Sequence, residues 1–370
     1  MEYIVSARKY RPGTFSSVEG QENITMTLKN AIKNKQLAHA YLFCGPRGVG
    51  KTTCARIFAK TINCENISPE NEACNECASC KSFNDNRSYN IHELDAASNN
   101  SVDDIRLLID KVRVPPQMGN YSVYIIDEVH MLSSNAFNAF LKTLEEPPHH
   151  AIFILATTEK HKILPTILSR CQTFDFNRIT VETASSYLKY VAEKESVAIE
   201  EEALNVIATK ADGAMRDALS IFDQIVAFSG KNITYQQVIS NLNVLDYDYY
   251  FKLLDAFLKE DVSSALIIFN EILKHGFDGS HFIGGLSSHL RDLMMCRDPQ
   301  TVSLLEVGAS IKQRYLEQAQ LCDNDFLYEA LRLTTNCELN YRIARNKRLH
   351  VEFTIISLSR IITEKKKLLN

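Results

Sequence analysis

Four cysteines stand within seventeen residues of the sequence, and thiols at such close spacing can bind a metal. They are Cys64, Cys74, Cys77 and Cys80, and the last three read C-x2-C-x2-C. Four thiolates can close a tetrahedral zinc site, hold an iron–sulfur cluster, pair as disulfides or form a redox centre. The other six cysteines are scattered singly, as expected of reduced thiols. We therefore predict a closed structural zinc site, with an iron–sulfur cluster as the alternative.

A glycine-rich stretch, GPRGVGKT, has the composition of a phosphate-binding loop. It fits G-x4-G-K-[ST] between an apolar run and a helical pattern, which is the context that this motif requires. The glycines let successive backbone N–H groups point at a phosphate, Lys51 can reach the outer phosphates, and Thr52 can offer its hydroxyl to Mg2+. The predicted phosphate-binding residues are Gly45, Pro46, Arg47, Gly48, Val49, Gly50, Lys51, Thr52 and Thr53.

An apolar run that ends in two carboxylates, YIIDEVH, complements this loop. Asp127 is suited to orient Mg2+, which prefers oxygen ligands. Glu128 can polarise a water that attacks the terminal phosphate in line. A second apolar run, AIFILATTE, ends in Thr157 and Thr158, whose hydroxyls can sense or position the same water. Together with the glycine-rich loop, these residues predict a site for nucleotide hydrolysis.

A single arginine, Arg170, follows a short helical pattern in the stretch LPTILSRC. An arginine in such a place is usually a surface charge. Its planar guanidinium also suits the charge that develops on a transferring phosphoryl group, whether the arginine belongs to the same chain or to a neighbouring subunit. Both interpretations stay open on the residues alone.

Strands that alternate with helices are the elements that must position these groups. Short apolar runs predict buried strands at 40–44, 90–94, 122–126, 151–156 and 173–176. Helical spacing of apolar residues predicts helices at 21–37, 51–62, 101–112 and 134–144. This alternation predicts an α/β fold with a parallel sheet covered on both faces. From residue 181 onward nearly every segment reads as amphipathic helix, which places one domain boundary near residue 178 and another near residue 245.

Length and composition are those of an ordinary globular protein. The chain has 370 residues, of which 45% are hydrophobic and 23% charged, enough for two or three domains. No apolar run approaches the roughly 20 residues that cross a bilayer, and the N-terminus has no signal-like apolar region. We therefore expect a cytoplasmic protein with no membrane partner. The net charge of -4 gives no overall field to attract nucleic acid, so composition neither demands nor excludes a nucleic-acid partner.

Several stretches, in this order and spacing, resemble the gamma/tau ATPase subunits of the bacterial DNA polymerase III clamp loader, a family of AAA+ proteins. The stretches are ARKYRPGTFSSVEGQ, GPRGVGKT, the four-cysteine cluster, DAASNNSVDDIR, YIIDEVHMLS, NAFLKTLEEPP, ATTE, ILSRC and GAMRDALSIFDQ. They run from about residue 6 to residue 224. The remainder, residues 225–370, resembles the family only in helical character and position.

The resemblance implies an architecture and a set of cofactors. An AAA+ P-loop α/β domain would occupy residues 1–178, with a zinc-binding insertion at 64–80. A helical lid domain at 179–244 and a helical collar domain at 245–370, which joins subunits into a ring, would follow. ATP, Mg2+ and a structural Zn2+ are the implied cofactors. Longer members of the family carry a C-terminal extension that tethers polymerase and helicase, whereas this sequence ends at Asn370, so no tethering role is predicted.

The resemblance also implies roles for single residues. Those that would act on the phosphates are Lys51 and Thr52, the Walker B pair Asp127 and Glu128, and Thr158, or less readily Thr157, as sensor 1. Arg170 would be the arginine finger that acts on the neighbouring subunit's ATP, and Arg216 in GAMRDAL would be sensor 2. The residues of the adenine pocket would be Ala7, Arg11 and Pro12.

The implied function is that of an ATP-driven motor subunit, which opens a sliding clamp and loads it onto primed DNA, with hydrolysis coupled to release. The implied partners are the delta and delta prime subunits, further gamma/tau copies, the sliding clamp and primer-template DNA. Two other functions stay open. A non-hydrolysing structural subunit is disfavoured by the intact phosphate loop and carboxylate pair, and a small-molecule kinase is disfavoured by the long helical remainder.

Overall fold

A computed structural model describes residues 4–85, 87–116, 119–305 and 307–368. The chain divides into two compact units, one containing Met1–Ser196 and Ile207–Ala227 and the other containing Val197–Val206 and Phe228–Asn370. We call them the α/β unit and the helical unit. The division into three domains at residues 178 and 245 stays a prediction.

A five-stranded parallel sheet is the centre of the α/β unit. Its strands are β1 (Ala40–Cys44), β2 (Ile91–Asp95), β3 (Ser122–Asp127), β4 (Ala151–Thr157) and β5 (Gln172–Asp175), in the spatial order β2-β3-β4-β1-β5. The predicted α/β class and parallel sheet are confirmed. Each strand lies within one residue of its predicted bounds, because short apolar runs between turn residues are strong strand signals.

The helices of the α/β unit connect and cover these strands. They are α1 (Ser6–Lys9), α2 (Glu22–Lys33), α3 (Lys51–Ile62), α4 (Ala78–Asn84), α5 (Val102–Val112), α6 (Ser134–Glu145), α7 (Pro165–Leu168), α8 (Val181–Glu195), the end of α9 (Glu201–Lys210) and most of α10 (Met215–Ser229). Helix α2 was predicted to reach residue 37 and ends earlier. Lys35 has a φ of 54°, a left-handed conformation that a right-handed helix cannot continue through.

Alternate residues of the strands point to opposite faces of the sheet and enter two separate cores. Phe43 and Ile125 pack on one face with α2 and α3. Leu42 and Tyr124 pack on the other face with α5 and α6. All four side chains are at most 1% exposed, and full burial of such a side chain contributes about 1.5–3 kcal/mol. Both faces are therefore covered, and the carboxyl ends of the strands meet along one edge of a fixed sheet.

Residues 64–80, which we call the cysteine loop, lie between α3 and β2 and include the start of α4, which begins directly after Cys77. It is an insertion between a helix and the next strand of the sheet. None of the five strands includes any of its residues. The insertion therefore lies outside the sheet.

The helical unit has its own core. Its elements are β6 (Ala198–Ile199), the first residues of α9, β7 (Asn232–Ile233), α11 (Tyr235–Asn241), α12 (Tyr247–Leu258), α13 (Val262–Lys274), α14 (Gly279–Met295), α15 (Ala309–Gln320), α16 (Asn324–Asn340) and α17 (Lys347–Leu368). Phe257, Phe282 and Leu358 are completely buried among these helices. Along the part of the chain that the structure describes, no helix combines the length and the apolarity needed to cross a membrane.

Candidate functional site

The glycine-rich loop joins the end of β1 to the start of α3, as its motif requires. Gly45, Gly48 and Gly50 have φ values of 147°, 78° and 105°, which residues other than glycine rarely adopt. A methyl group on Gly45 would lie 2.6 Å from the carbonyl oxygen of Phe176. The loop conformation therefore depends on glycine at these positions.

Gly45→Ala is expected to destabilise the α/β unit. The backbone conformation alone costs about 1–3 kcal/mol in the free energy of unfolding, and the contact with Phe176 adds to that cost. Gly50→Ala is a matched control, because Gly50 also has a positive φ but has open space where a methyl group would lie. Urea unfolding of both variants should show the larger loss for Gly45→Ala. Equal losses would exclude the contact with Phe176 as a cause.

Lys51 is the first residue of α3 and is only 5% exposed. Its Nζ donates to the carbonyl oxygens of Gly45, at 2.7 Å, and Pro46, at 2.6 Å. Burial lowers the pKa of Lys51, and the nearby carboxylates of Glu128 and Asp127 oppose that shift. The ammonium group is thus held inside the loop by two neutral carbonyl oxygens. A bound phosphate would supply a negatively charged partner for it.

Thr52 and Asp127 lie side by side at the same edge of the sheet. The Thr52 hydroxyl donates to Oδ2 of Asp127 at 2.7 Å. A hydroxyl and a carboxylate in contact are the oxygen donors that Mg2+ takes in nucleotide sites, so these two residues fit the predicted metal. The other oxygen of Asp127 accepts the backbone N–H of Glu128 at 2.9 Å, which fixes the carboxylate.

Glu128 follows β3 with a φ of 48° and is held by the end of the neighbouring strand β4. Its Oε2 accepts the hydroxyl of Thr158 at 3.0 Å and the backbone N–H of Thr158 at 3.3 Å. Thr157 is fully buried, and its hydroxyl lies 3.0 Å from Nδ1 of His130. Of the two threonines, it is therefore Thr158 that contacts the carboxylate.

His130, which is not among the residues predicted from the sequence, lies between Glu128 and the end of β4. Its Nδ1 lies 3.5 Å from Oε2 of Glu128, and its Nε2 lies 3.1 Å from Oε2 of Glu159. The side chain is 6% exposed, so it contacts Glu128 from within the protein interior. Its place two residues after Glu128 in YIIDEVH was the available signal.

A cavity of about 610 Å3 opens over the glycine-rich loop, a size usual for small-molecule sites. The predicted residues that line it are Ala7, Arg11, Pro12, Arg47, Gly48, Val49, Gly50, Lys51, Thr52, Thr53, Asp127, Glu128 and Arg216. Gly45 and Pro46 are not among them and instead accept hydrogen bonds from Lys51. Further lining residues that the sequence did not indicate include Val5, Tyr10, Ser17, Val18, Glu93, Tyr187, Met215 and Leu219.

Residues 5–19, which we call the N-terminal segment, form one wall of this cavity. The backbone N–H of Ser6 donates to Asp223 at 2.7 Å, and the hydroxyl of Tyr187 donates to the carbonyl of Tyr10 at 2.9 Å. Nε of Arg11 donates to the hydroxyl of Thr53 at 3.2 Å. The segment therefore bridges α3 and the helices α8 and α10 around the cavity.

Four sulfur atoms come together in the cysteine loop. Those of Cys64, Cys74, Cys77 and Cys80 all lie within 4.8 Å of one another. Tetrahedral zinc with bonds of about 2.3 Å separates its sulfur ligands by about 3.8 Å, and the Cys64 and Cys74 sulfurs are 3.5 Å apart. Backbone N–H groups of Glu76 and Cys77 lower the pKa of Cys74 to about 6, whereas burial raises the pKa of Cys64 and of Cys80. This set fits one ion better than a cluster, which spreads its four thiolates over two or more irons.

Cys80→Ser is expected to remove the metal. Cys80 is completely buried, a hydroxyl is a poor zinc ligand, and the binding of structural zinc is part of the folding free energy. Elemental analysis should find about one zinc per unaltered chain and little in the variant, with a lower Tm. Cys171→Ser is the control, since Cys171 is only half-buried and lies outside the cluster. Iron and sulfide in the unaltered chain, purified without oxygen, would reject the zinc assignment.

Comparison with known proteins identifies the family. Residues 20–180 match the family model described as DNA polymerase III, delta subunit, and residues 183–231 match that of the DNA polymerase III clamp loader subunit, ATPase lid domain. The DNA polymerase III subunit gamma of Buchnera aphidicola subsp. Acyrthosiphon pisum is 35% identical over 95% of this chain and 95% of its own length. The chain belongs to the gamma/tau family of DNA polymerase III subunits.

Other members of the gamma/tau family are longer than this chain. The DNA polymerase III subunit tau of Bacillus subtilis is 42% identical over 97% of this chain, and the subunit tau of Escherichia coli is 37% identical over 96%. The chain spans 63% and 55% of the lengths of these curated relatives. Among solved structures, the RuvB branch migration motor of Thermotoga maritima is 22% identical, with a TM-score of 0.48 over 67% of this chain and 79% of its own.

The two arginines that the gamma/tau resemblance singled out lie in different places. Arg216, near the start of α10, lines the cavity, and its backbone N–H donates to the carbonyl of Gly48 at 3.4 Å. Arg170 follows α7 and is not among the residues that line the cavity in the described chain. Its guanidinium donates to the carbonyl of Thr166 at 2.7 Å and to Glu145 at 2.8 Å. Of the residues predicted for the nucleotide site, Arg170 therefore lies apart from the cavity, and the four predicted metal ligands form a separate cluster.

Proposed function

We propose that this chain is an ATP-hydrolysing motor subunit of a clamp loader, which opens a sliding clamp and loads it onto primed DNA. One observation carries the proposal. In a chain of the gamma/tau family, Lys51, Thr52, Asp127 and Glu128 line one cavity above a glycine-rich loop, and Thr158 contacts Glu128. These are the groups that phosphoryl transfer to water requires. Hydrolysis is coupled to release of the clamp and DNA.

The residues around the cavity divide the chemistry among them. Lys51 and the backbone N–H groups of the loop bind the phosphates, while Thr52 and Asp127 hold Mg2+. ATP bound with Mg2+ supplies a terminal phosphoryl group whose charge the metal partly neutralises. Glu128 polarises the attacking water and accepts its proton. Thr158 orients Glu128 as sensor 1, the place that Thr157 does not fill because its hydroxyl faces His130.

The remaining predicted residues act around this centre. Ala7, Arg11 and Pro12 of the N-terminal segment receive the adenine end of ATP, and Arg216 contacts the phosphates as sensor 2. Arg170 acts on the ATP of a neighbouring subunit, which its place outside its own chain's cavity supports. The four cysteines hold a structural Zn2+ that folds the insertion and takes no part in hydrolysis.

ATP can drive such a subunit only through a difference in affinity between two states of the assembly. ATP binding favours the state that binds clamp and DNA. Because the arginine comes from the neighbour, hydrolysis at each site depends on the adjacent subunit. The proposed partners are the delta and delta prime subunits, further gamma/tau copies, the sliding clamp and primer-template DNA. The proposed location is the cytoplasm, where these partners replicate the chromosome.

Reconstitution with the delta and delta prime subunits and a sliding clamp tests the proposal. We expect ATP hydrolysis to rise when clamp and primed DNA are added together. Hydrolysis that clamp and primed DNA leave unchanged would overturn it. No nucleotide binding at all would favour the structural subunit, and phosphate transfer to a metabolite by a monomer would favour the kinase.

A further inference from the structure

A carboxylate inside the cysteine loop holds the N-terminal segment. Glu72 lies two residues before Cys74 and is 9% exposed. Its Oε2 accepts the backbone N–H of Phe15 at 2.9 Å, and its Oε1 accepts that of Ser16 at 2.9 Å. Lys29 of α2 lies 2.8 Å from Oε1 and balances the charge. Since charged hydrogen bonds at a buried site are stronger than neutral ones, Glu72 fixes the backbone of residues 15 and 16.

A second connection runs through α3, the helix that begins with Lys51. Lys60 is 4% exposed, and its Nζ donates to the carbonyl of Gly13 at 2.9 Å and to Oδ1 of Asn75 at 2.6 Å. Asn75 lies between Cys74 and Cys77. The cysteine loop therefore reaches the N-terminal segment at two places, directly through Glu72 and by way of Lys60.

Along the chain, the residues held by these contacts lie between residues that line the nucleotide cavity. Gly13, Phe15 and Ser16 are held, while Pro12 before them and Ser17 after them face the cavity. A shift of the held residues therefore moves the wall of the cavity, although none of them lines it.

The cysteine loop has only a small apolar core of its own. Its core consists of Cys64, Ala73, Cys77 and Cys80, with Cys74 packed against them. So small a cluster buries too little apolar surface to offset the entropy of ordering the loop, and a metal is the usual means of doing so. The positions of Glu72 and Asn75 thus depend on what the four sulfurs bind.

We propose that the cysteine loop, folded by its metal, positions the N-terminal segment and thereby sets the affinity of the cavity for nucleotide. Glu72 is the positioning residue of this coupling, and the cysteine loop is a remote part of the nucleotide site. The inference rests on the proposed function, since it requires the cavity to bind nucleotide. Linkage makes the coupling reciprocal, so bound nucleotide also raises the affinity of the four cysteines for the metal.

Glu72→Gln tests the coupling with every predicted metal ligand and cavity residue kept. The amide keeps the size of the side chain, but it can accept only through one oxygen, and it turns an N–H donor towards one of the two backbone N–H groups. We expect the zinc content to stay unchanged and the Kd for a fluorescent ADP analogue to rise about tenfold, the order expected from losing one charged hydrogen bond. Glu70→Gln is the matched control, because Glu70 is exposed in the same loop and contacts Ser68. Its Kd should not change.

Removing zinc from the unaltered chain with a chelator is a second test, which does not depend on whether the variant folds. Hydrogen exchange should speed up in residues 13–18 after zinc removal, with the Kd raised, while the amides of β3 and β4 stay protected. Restored zinc should reverse both changes. Nucleotide binding by the unaltered chain that neither Glu72→Gln nor chelation weakens would overturn this inference alone. Failure of the unaltered, zinc-loaded chain to bind nucleotide would overturn it together with the proposed function.

Discussion

Replacing Arg170 by alanine is expected to leave nucleotide binding by the altered subunit intact and to slow hydrolysis at the adjacent site. Arginines of this kind contribute about 10^3–10^5 to the rate, because a planar guanidinium stabilises the charge of the transferring phosphoryl group. Arg170 follows α7 and contacts Thr166 and Glu145 on its own chain. Its pair with Glu145 is partly exposed and contributes little to stability, so the substitution should not unfold the chain.

Mixed assemblies separate an action on the neighbour from an action within the same chain. Single-turnover hydrolysis should be measured in assemblies where one defined subunit carries Arg170→Ala. The loss should fall on the site of the adjacent unaltered subunit. Arg170→Lys keeps the charge without the planar fork and should recover only part of the rate. A loss confined to the altered subunit's own site would refute the action on the neighbour.

The sheet and its loops were predictable because local signals determine them. The strands β1 and β4 are apolar runs bounded by turn residues, and a glycine-rich stretch leaves only a few backbone paths between β1 and α3. Parallel pairing then brings the ends of β1, β3 and β4 to one edge. The contact of Thr52 with Asp127 follows from that topology, although 75 residues separate them.

The walls of the cavity were less predictable because they come from distant segments with ordinary composition. Tyr10 and Tyr187 meet at the cavity only because the N-terminal segment packs on α8, and nothing in either local sequence indicates that contact. The same holds for Glu72, whose surroundings suggested a metal loop and nothing more. A carboxylate that binds backbone N–H groups more than fifty residues away leaves no sequence pattern.

His130 is a different kind of omission. It belongs to the motif that identified Asp127 and Glu128, but imidazole has several roles and a sequence does not say which one applies. The fold determines the partners of the imidazole. Because β4 lies beside β3, Thr157 and Glu159 contact the two ring nitrogens. Its side chain therefore supports Glu128 from behind and faces the protein interior.

Glu128→Gln is expected to slow ATP hydrolysis by about 10^2–10^4, the usual contribution of a general base. The amide oxygen can still accept the hydroxyl of Thr158, so the side chain should keep its place. ATP affinity should stay close to that of the unaltered chain, because Lys51, Thr52 and Asp127 are untouched. Single-turnover hydrolysis and equilibrium binding in the reconstituted assembly would measure the two effects separately. A rate within a few-fold of the unaltered chain would exclude Glu128 as the base.

Glu159→Gln is the matched control, since Glu159 also contacts His130 but is not among the cavity-lining residues of the described chain. If Glu128 acts on water, the control should keep most of its activity, because losing the Glu159 charge alters only the surroundings of His130, Lys162 and His161. If both variants lose the same activity, the effect passes through His130 and the position of β4. The role of the base would then have to be reassigned. The pair of variants therefore separates the chemical role of Glu128 from the structural role of the network that holds it.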